Sequence, residues 1–262
     1  MSLLWSELRM RRLSLAIWTV AVGLLVLMIA AVYPSVRDSP SLDSIYADLP
    51  PAAQELLGGS DMTSPAGYLS TQVFAFFLPA VILVYGLGRA AATVAGEEED
   101  RTLDLLLAQP LSRTNAYLQK AVAVGVGLVV LGLASLVPLL ALNGPVRFDL
   151  PVVNLTAAVA QMTLFCLALA LWTQAISAAT GRRVLGLAAV IGYVVVSYVV
   201  YGLSSSIAWL ERLVPLTLWR WYLGNDPLQS GFGGVECLVL GACAAAALVA
   251  GVWLFGRRDL HA

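Results

Sequence analysis

Six stretches of this chain are long and apolar enough to cross a bilayer, and they constrain its fold more than any other feature. They run approximately 13–33, 69–95, 116–142, 152–179, 184–204 and 235–255. A hydrocarbon core about 30 Å thick takes roughly 20 helical residues to cross. Backbone groups inside lipid must be satisfied within the protein, and continuous apolar runs of this length achieve that as helices rather than barrel strands. Composition agrees: 60% of the residues are hydrophobic and 12% charged, against about 25% charged in a soluble domain. The expected fold is an all-α polytopic membrane protein, a single transmembrane domain over residues 1–262. A soluble enzyme and a disordered chain are excluded. A net charge of -1 offers no basic field for nucleic acid.

Arg9, Arg11 and Arg12 precede the first run as they would in a signal peptide. Its apolar length of about 21 residues exceeds the roughly 7–15 of a signal peptide's apolar region, so it reads as a signal anchor. Six crossings put both termini on one side. That side carries Arg9, Arg11, Arg12, Arg89, Arg101, Arg113, Lys120, Arg182, Arg183, Arg257 and Arg258, whereas the other carries Arg37, Arg147, Arg212 and Arg220. The excess of bases places both termini in the cytoplasm. Arginine outnumbers lysine, whose only instance is Lys120, a bias that with the single histidine fits a GC-rich prokaryotic genome, so the expected location is a prokaryotic cell membrane.

Between the runs, residues 1–12 set Leu3, Leu4, Trp5 and Leu8 against Glu7 and three arginines, as an amphipathic elbow helix on the inner surface does; a disordered basic tail is the alternative. Residues 34–68 form an outer loop, read as an ordered cap in which Ser41, Asp43 and Ser44 start one helix and 52–57 form a second short one; a loose loop is the alternative. Segment 205–234 holds an apolar run at 207–218, too short to cross and suited to a re-entrant or interfacial helix. Its Trp209, Trp219, Trp221 and Tyr222 fit an interfacial belt or a gate at the outer mouth. Gly241, Ala245 and Ala246 in the last run, and Gly125 and Gly132 in the third, offer small faces for helix packing.

Catalytic chemistry finds little support. The single histidine, His261, lies in the tail, so an intramembrane Ser–His protease lacks its base. The acids at 97–100 have no histidines in the spans to complete a metal site. Cys166, Cys237 and Cys243 lie in or at the edge of apolar runs, without metal-ligand or disulfide spacing. Lys120 follows Tyr117-Leu118-Gln119 rather than a phosphate-binding glycine loop, so the chain is not expected to hydrolyse ATP itself. Gln72, Ser135, Gln161, Gln174, Tyr193 and Ser197 are the neutral polar groups inside the runs; such side chains bridge helices or line a pathway.

One segment stands out. In Gly96-Glu97-Glu98-Glu99-Asp100-Arg101-Thr102-Leu103-Asp104-Leu105-Leu106-Leu107-Ala108-Gln109-Pro110-Leu111-Ser112-Arg113, acids load the first turn of a short helix and Pro110 closes it. Negative charge there complements the helix dipole, and Leu103, Leu106 and Leu107 recur at helical spacing. A rigid docking helix and a solvated charged turn both fit that pattern.

The segment resembles the signature of type-2 ABC exporter permeases, matching at Gly96, Glu97, Glu99, Thr102, Leu103, Asp104, Leu106, Leu107, Pro110, Ser112 and Arg113 and departing at Arg101, where glycine is frequent. Trp221-Tyr222-Leu223-Gly224-Asn225-Asp226-Pro227-Leu228 and Phe255-Gly256-Arg257-Arg258-Asp259-Leu260 are similar to the family's last outer loop and C-terminal ending. The resemblance implies a half-transporter that pairs with a second permease copy or paralogue in the lipid and recruits separate ABC ATPase subunits. Those subunits, not this chain, would bind ATP and Mg. It implies that Glu97, Glu98, Glu99, Asp100, Arg101, Thr102, Leu103, Leu106, Leu107, Pro110 and Arg113 couple to the ATPase as a cytoplasmic coupling helix at 96–113. It also implies that Gln72, Phe76, Tyr193, Ser197 and Tyr201, on the second and fifth spans, line the pathway. A lipid-like molecule or an antibiotic suits such neutral side chains as cargo.

Overall fold

A computed structural model describes residues 12–37, 50, 64–93, 96, 112–204 and 207–257. The elbow helix at 1–12 apart from Arg12, the outer-loop helices and the coupling helix at 96–113 apart from Gly96, Ser112 and Arg113 fall outside these residues, as do all the expected coupling residues except Arg113. Among the described residues every regular element is helical. Six spans are long and apolar enough to cross a membrane: Arg12–Arg37, Pro65–Ala91, Arg113–Asn143, Val152–Thr180, Arg183–Leu203 and Gly234–Arg257.

Local chemistry sets the span ends. Ser64 precedes Pro65 at the first helical position, and its hydroxyl accepts from the Gly67 amide at 3.1 Å, a cap that starts the second span four residues before the apolar run at Leu69. Ser112 caps the third span by accepting from Asn115 N at 3.2 Å. The fourth span ends at Gly181, whose φ of 67° is left-handed; glycine takes that conformation without a Cβ penalty. Asn143 closes the connector after the third span: its amide donates to Leu150 O at 2.9 Å and accepts from Leu150 N at 3.1 Å.

The fourth span is the hub, packing on the second, third, fifth and sixth. It is apolar on every side, as a helix surrounded by others must be. The first span lies mainly along the third. There Pro138 removes the amide that Ala134 O would accept, and that carbonyl faces Gly23 of the first span, 3.5 Å from where a Cβ would stand. The sixth span presents Leu240, Ala244, Ala247 and Gly251 inward. Ala245 and Ala246, expected on the packing face, are exposed instead, because the buried stripe repeats at three and four residues from Leu240 and passes them by. Gly132 does pack as expected, with Thr163 Oγ1 where its Cβ would be.

Candidate functional site

The second span is not one helix. Its first turn, Pro65–Leu69, runs into a π-helical turn, Ser70–Phe74, and a new α-helix, Phe77–Ala91, starts after Phe76, whose φ and ψ of -147° and -53° leave the helix. Pro79 explains the restart. Proline inside a helix lacks a donor and its ring collides with the carbonyl four residues back, whereas in a first turn it does neither. Beginning the helix at Phe77 puts Pro79 in that first turn. The wide turn closes through Ala75 N to Ser70 O at 2.6 Å.

The break leaves backbone groups without helical partners, and the segment before the last span supplies one. Tyr222, fully buried, donates its hydroxyl to Phe74 O at 2.9 Å. Around it a run of rings links four elements. Phe165 of the fourth span stacks on Tyr222 at 5.0 Å and meets Trp219 at 4.8 Å; Trp219 meets Tyr198 of the fifth span at 4.9 Å, and Tyr198 meets Phe76 at 5.5 Å.

Side chains of the fourth and fifth spans staple this segment down. Tyr193 donates to Leu216 O and accepts from Leu218 N, each at 3.0 Å, and Trp219 Nε1 donates to Val194 O at 3.3 Å. Gln161 donates to Asn225 Oδ1 at 2.8 Å, and Asn154 donates to the Leu228 and Gln229 carbonyls at 2.9 Å. The run at 207–218, expected as one re-entrant or interfacial helix, is instead a broken path: Ala208–Glu211, a 3-10 turn Val214–Leu216 and the start of Leu218–Leu223. Pro215 and the hydrogen bonds from Tyr193 account for the interruption. The aromatic belt splits accordingly: Trp209 is exposed, while Trp219 and Tyr222 are buried in the ring cluster.

Of the expected pathway residues, the structure brings Phe76 to the fifth span through Tyr198. Gln72 sits half-buried in the π-turn and Tyr201 half-buried near the end of the fifth span. Ser197 is buried and donates to Val194 O of its own helix. Sequence reasoning missed Tyr222 as a partner of the second span and missed the break itself; Pro79 was the available signal. Beside Tyr193 a cavity of about 330 Å³ lies between the fourth, fifth and sixth spans, lined by Leu169, Trp172, Val190, Leu218 and Cys243 among others.

At the other end of the bundle, where Thr93 and Ser112 flank segment 94–111, polar groups again meet. Lys120 Nζ donates to Thr93 O at 2.6 Å, and Gln174 Nε2 donates to Tyr117 O at 3.4 Å. Tyr117 packs on Phe255 at 6.2 Å between ring centres, and its hydroxyl occupies the place of a Cβ on Gly251. Among the described residues no group of three His, Cys, Asp or Glu side chains gathers to hold a metal.

Among the described residues, six apolar spans with an interrupted second helix and a stapled segment before the last span define a multi-pass membrane protein. Residues 1–260 match the family model for ABC-2 family transporter proteins. The chain belongs to that family and is a membrane-embedded permease component of an ABC transporter, which works with ABC ATPase subunits. No curated protein matches the chain.

Proposed function

We propose that the chain is the permease of an ATP-driven exporter, that two copies (or this chain and a paralogue) enclose the pathway, and that segment 96–113 couples them to two ATPase subunits. The observation that carries this reading is the uneven burial of the spans. Only 17% of the most apolar 18 residues of the first span and 17% of those of the fifth are buried, against 61%, 50% and 56% for the second, third and fourth and 28% for the sixth. The fifth span also stands next to the break at 70–76 through Tyr198 and Phe76. A second permease seated on the fifth span brings two such breaks together, with Gln72, Phe76, Tyr193, Ser197 and Tyr201 near the axis between them.

Both termini lie in the cytoplasm in this reading, and Glu97, Glu98, Glu99, Asp100, Arg101, Thr102, Leu103, Leu106, Leu107, Pro110 and Arg113 face the ATPase. ATP and Mg bind on the ATPase, and ATP drives the cycle only by favouring one arrangement of the permease pair over another. The apolar cavity beside Tyr193 supports a lipid-like or antibiotic cargo. The test is a mild-detergent purification of the intact permease. Co-purification of an ATPase with a phosphate-binding loop at one copy per permease is the expected result. A stable permease pair with no ATPase under any nucleotide condition would overturn the coupling assignment.

A further inference from the structure

We infer that Lys120 is the positioning residue that ties the coupling segment to the membrane domain, by capping the C-terminal end of the second span. The inference rests on the coupling role proposed for 96–113. Lys120 is the only lysine in the chain and is 2% exposed. A cation inside a span is costly and usually marks function.

Its contact has a specific geometry. The second span closes with Ala92 N on Gly88 O at 3.2 Å, and with Thr93 N and Thr93 Oγ1 both on Ala90 O at 3.3 and 2.6 Å. A helix C-terminus presents carbonyls without helical partners at the negative end of the dipole. Lys120 Nζ lies 2.6 Å from the last of these described carbonyls, Thr93 O. The chain leaves the second span at Thr93 and enters the third at Ser112, so this contact is one that joins the two sides of segment 94–111.

The same two turns of the third span hold the rest of the domain. One turn before Lys120, Tyr117 receives Gln174 from the fourth span on its carbonyl and packs its ring on Phe255 of the sixth. The start of the third span, where the chain re-enters after 94–111, is therefore tied to the second span through Lys120 and to the fourth and sixth through Tyr117. Lys120 acts by fixing the position of that segment and does not touch the cargo.

The test is amide hydrogen exchange on the full-length permease in detergent, with K120M and K120R beside wild type. K120M is expected to speed exchange about tenfold in peptides covering 88–115 and to leave the fourth and fifth spans unchanged, with K120R restoring most of the protection. In the permease–ATPase complex, K120M is expected to keep the subunit ratio while the ATPase loses its response to the permease. Unchanged exchange at 88–115 in K120M overturns the inference. If K120M does not accumulate, K120Q is read in the same way; if neither neutral variant accumulates while K120R does, the lysine serves folding and the inference fails. Absence of any ATPase in the wild-type preparation would refute the proposed function, while the exchange result would still decide this one.

Discussion

The Tyr222 hydroxyl donates to the Phe74 carbonyl across 148 residues of sequence, completing a backbone that the π-turn at 70–74 leaves open. The residue that completes the second span thus belongs to the segment leading into the sixth. Substituting Tyr222 by phenylalanine keeps the ring stack on Phe165 and removes only this bond. An unsatisfied buried carbonyl costs about 1–3 kcal/mol, so Y222F is expected to melt several degrees lower while still inserting. A thermal unfolding curve in detergent checks this; an unchanged midpoint would mean that water or another group serves the carbonyl.

Leu106→Asp and Leu107→Asp together are expected to abolish the response of the ATPase to the permease while membrane insertion stays normal. Charges on the apolar face of the proposed docking helix carry a desolvation cost of several kcal/mol in any buried interface. Wild-type coupling in that double variant would remove the docking role from this face. ATPase assays on the purified complex, with insertion followed by membrane fractionation, separate the two outcomes.

Gly186 lies where the fifth span crosses the fourth. A Cβ there would run into Ser177 Oγ and stand 2.8 Å from the Thr173 carbonyl. Gly186→Ala is expected to destabilise by about 1–3 kcal/mol, the usual range for overpacking. Adding Ser177→Ala is expected to recover part of the loss and no more, because the backbone contact persists. Full recovery in the double variant, read from unfolding midpoints, would show that the helices separate freely at this crossing.

Asp226 sits outside the spans at a φ of 46°. Burial raises its carboxyl pKa above the ordinary value, and hydrogen bonding to Gln229 offsets part of that rise. A raised folded-state pKa means that the protonated form is favoured on folding. That contribution is complete below the unfolded carboxylate value and is lost as pH rises through the folded one. Asp226→Asn tolerates the same backbone conformation and stays neutral. It is expected to be at least as stable as wild type at pH 7, with any advantage shrinking toward pH 4. A variant less stable at pH 7 than at pH 4, relative to wild type, would contradict this assignment.

The spans were legible because lipid leaves the backbone few choices, and a run such as that at 152–179 has no polar interruption strong enough to end a helix. Their ends were partly legible. Ser112 appeared within the recognised motif, but the cap at Ser64 was masked by the start of the apolar run five residues later. The break at Phe76 was less visible still, since Ser70, Thr71 and Gln72 do not interrupt the apolar run at 69–95 and only Pro79 marks it. Tyr193 was picked out as a polar group within a span, yet its partners, Leu216 and Leu218, are backbone atoms more than 20 residues away. No local pattern encodes a pairing of that kind. The face of the sixth span was misread for a related reason: Ala244 and Ala245 are chemically identical, and only the neighbouring fourth span decides which of them is enclosed.

Gly181 and Arg182 alone separate the fourth span from the fifth. Their shortness means that the fifth span hangs from the fourth like a door leaf, hinged at that tight corner and latched halfway along, where Tyr193 and Val194 bond to Leu216, Leu218 and Trp219 of the segment before the sixth. A leaf fastened at its hinge and at mid-height cannot swing alone. The fourth, fifth and latch must turn together, so the transporter has fewer independent moving parts than it has spans.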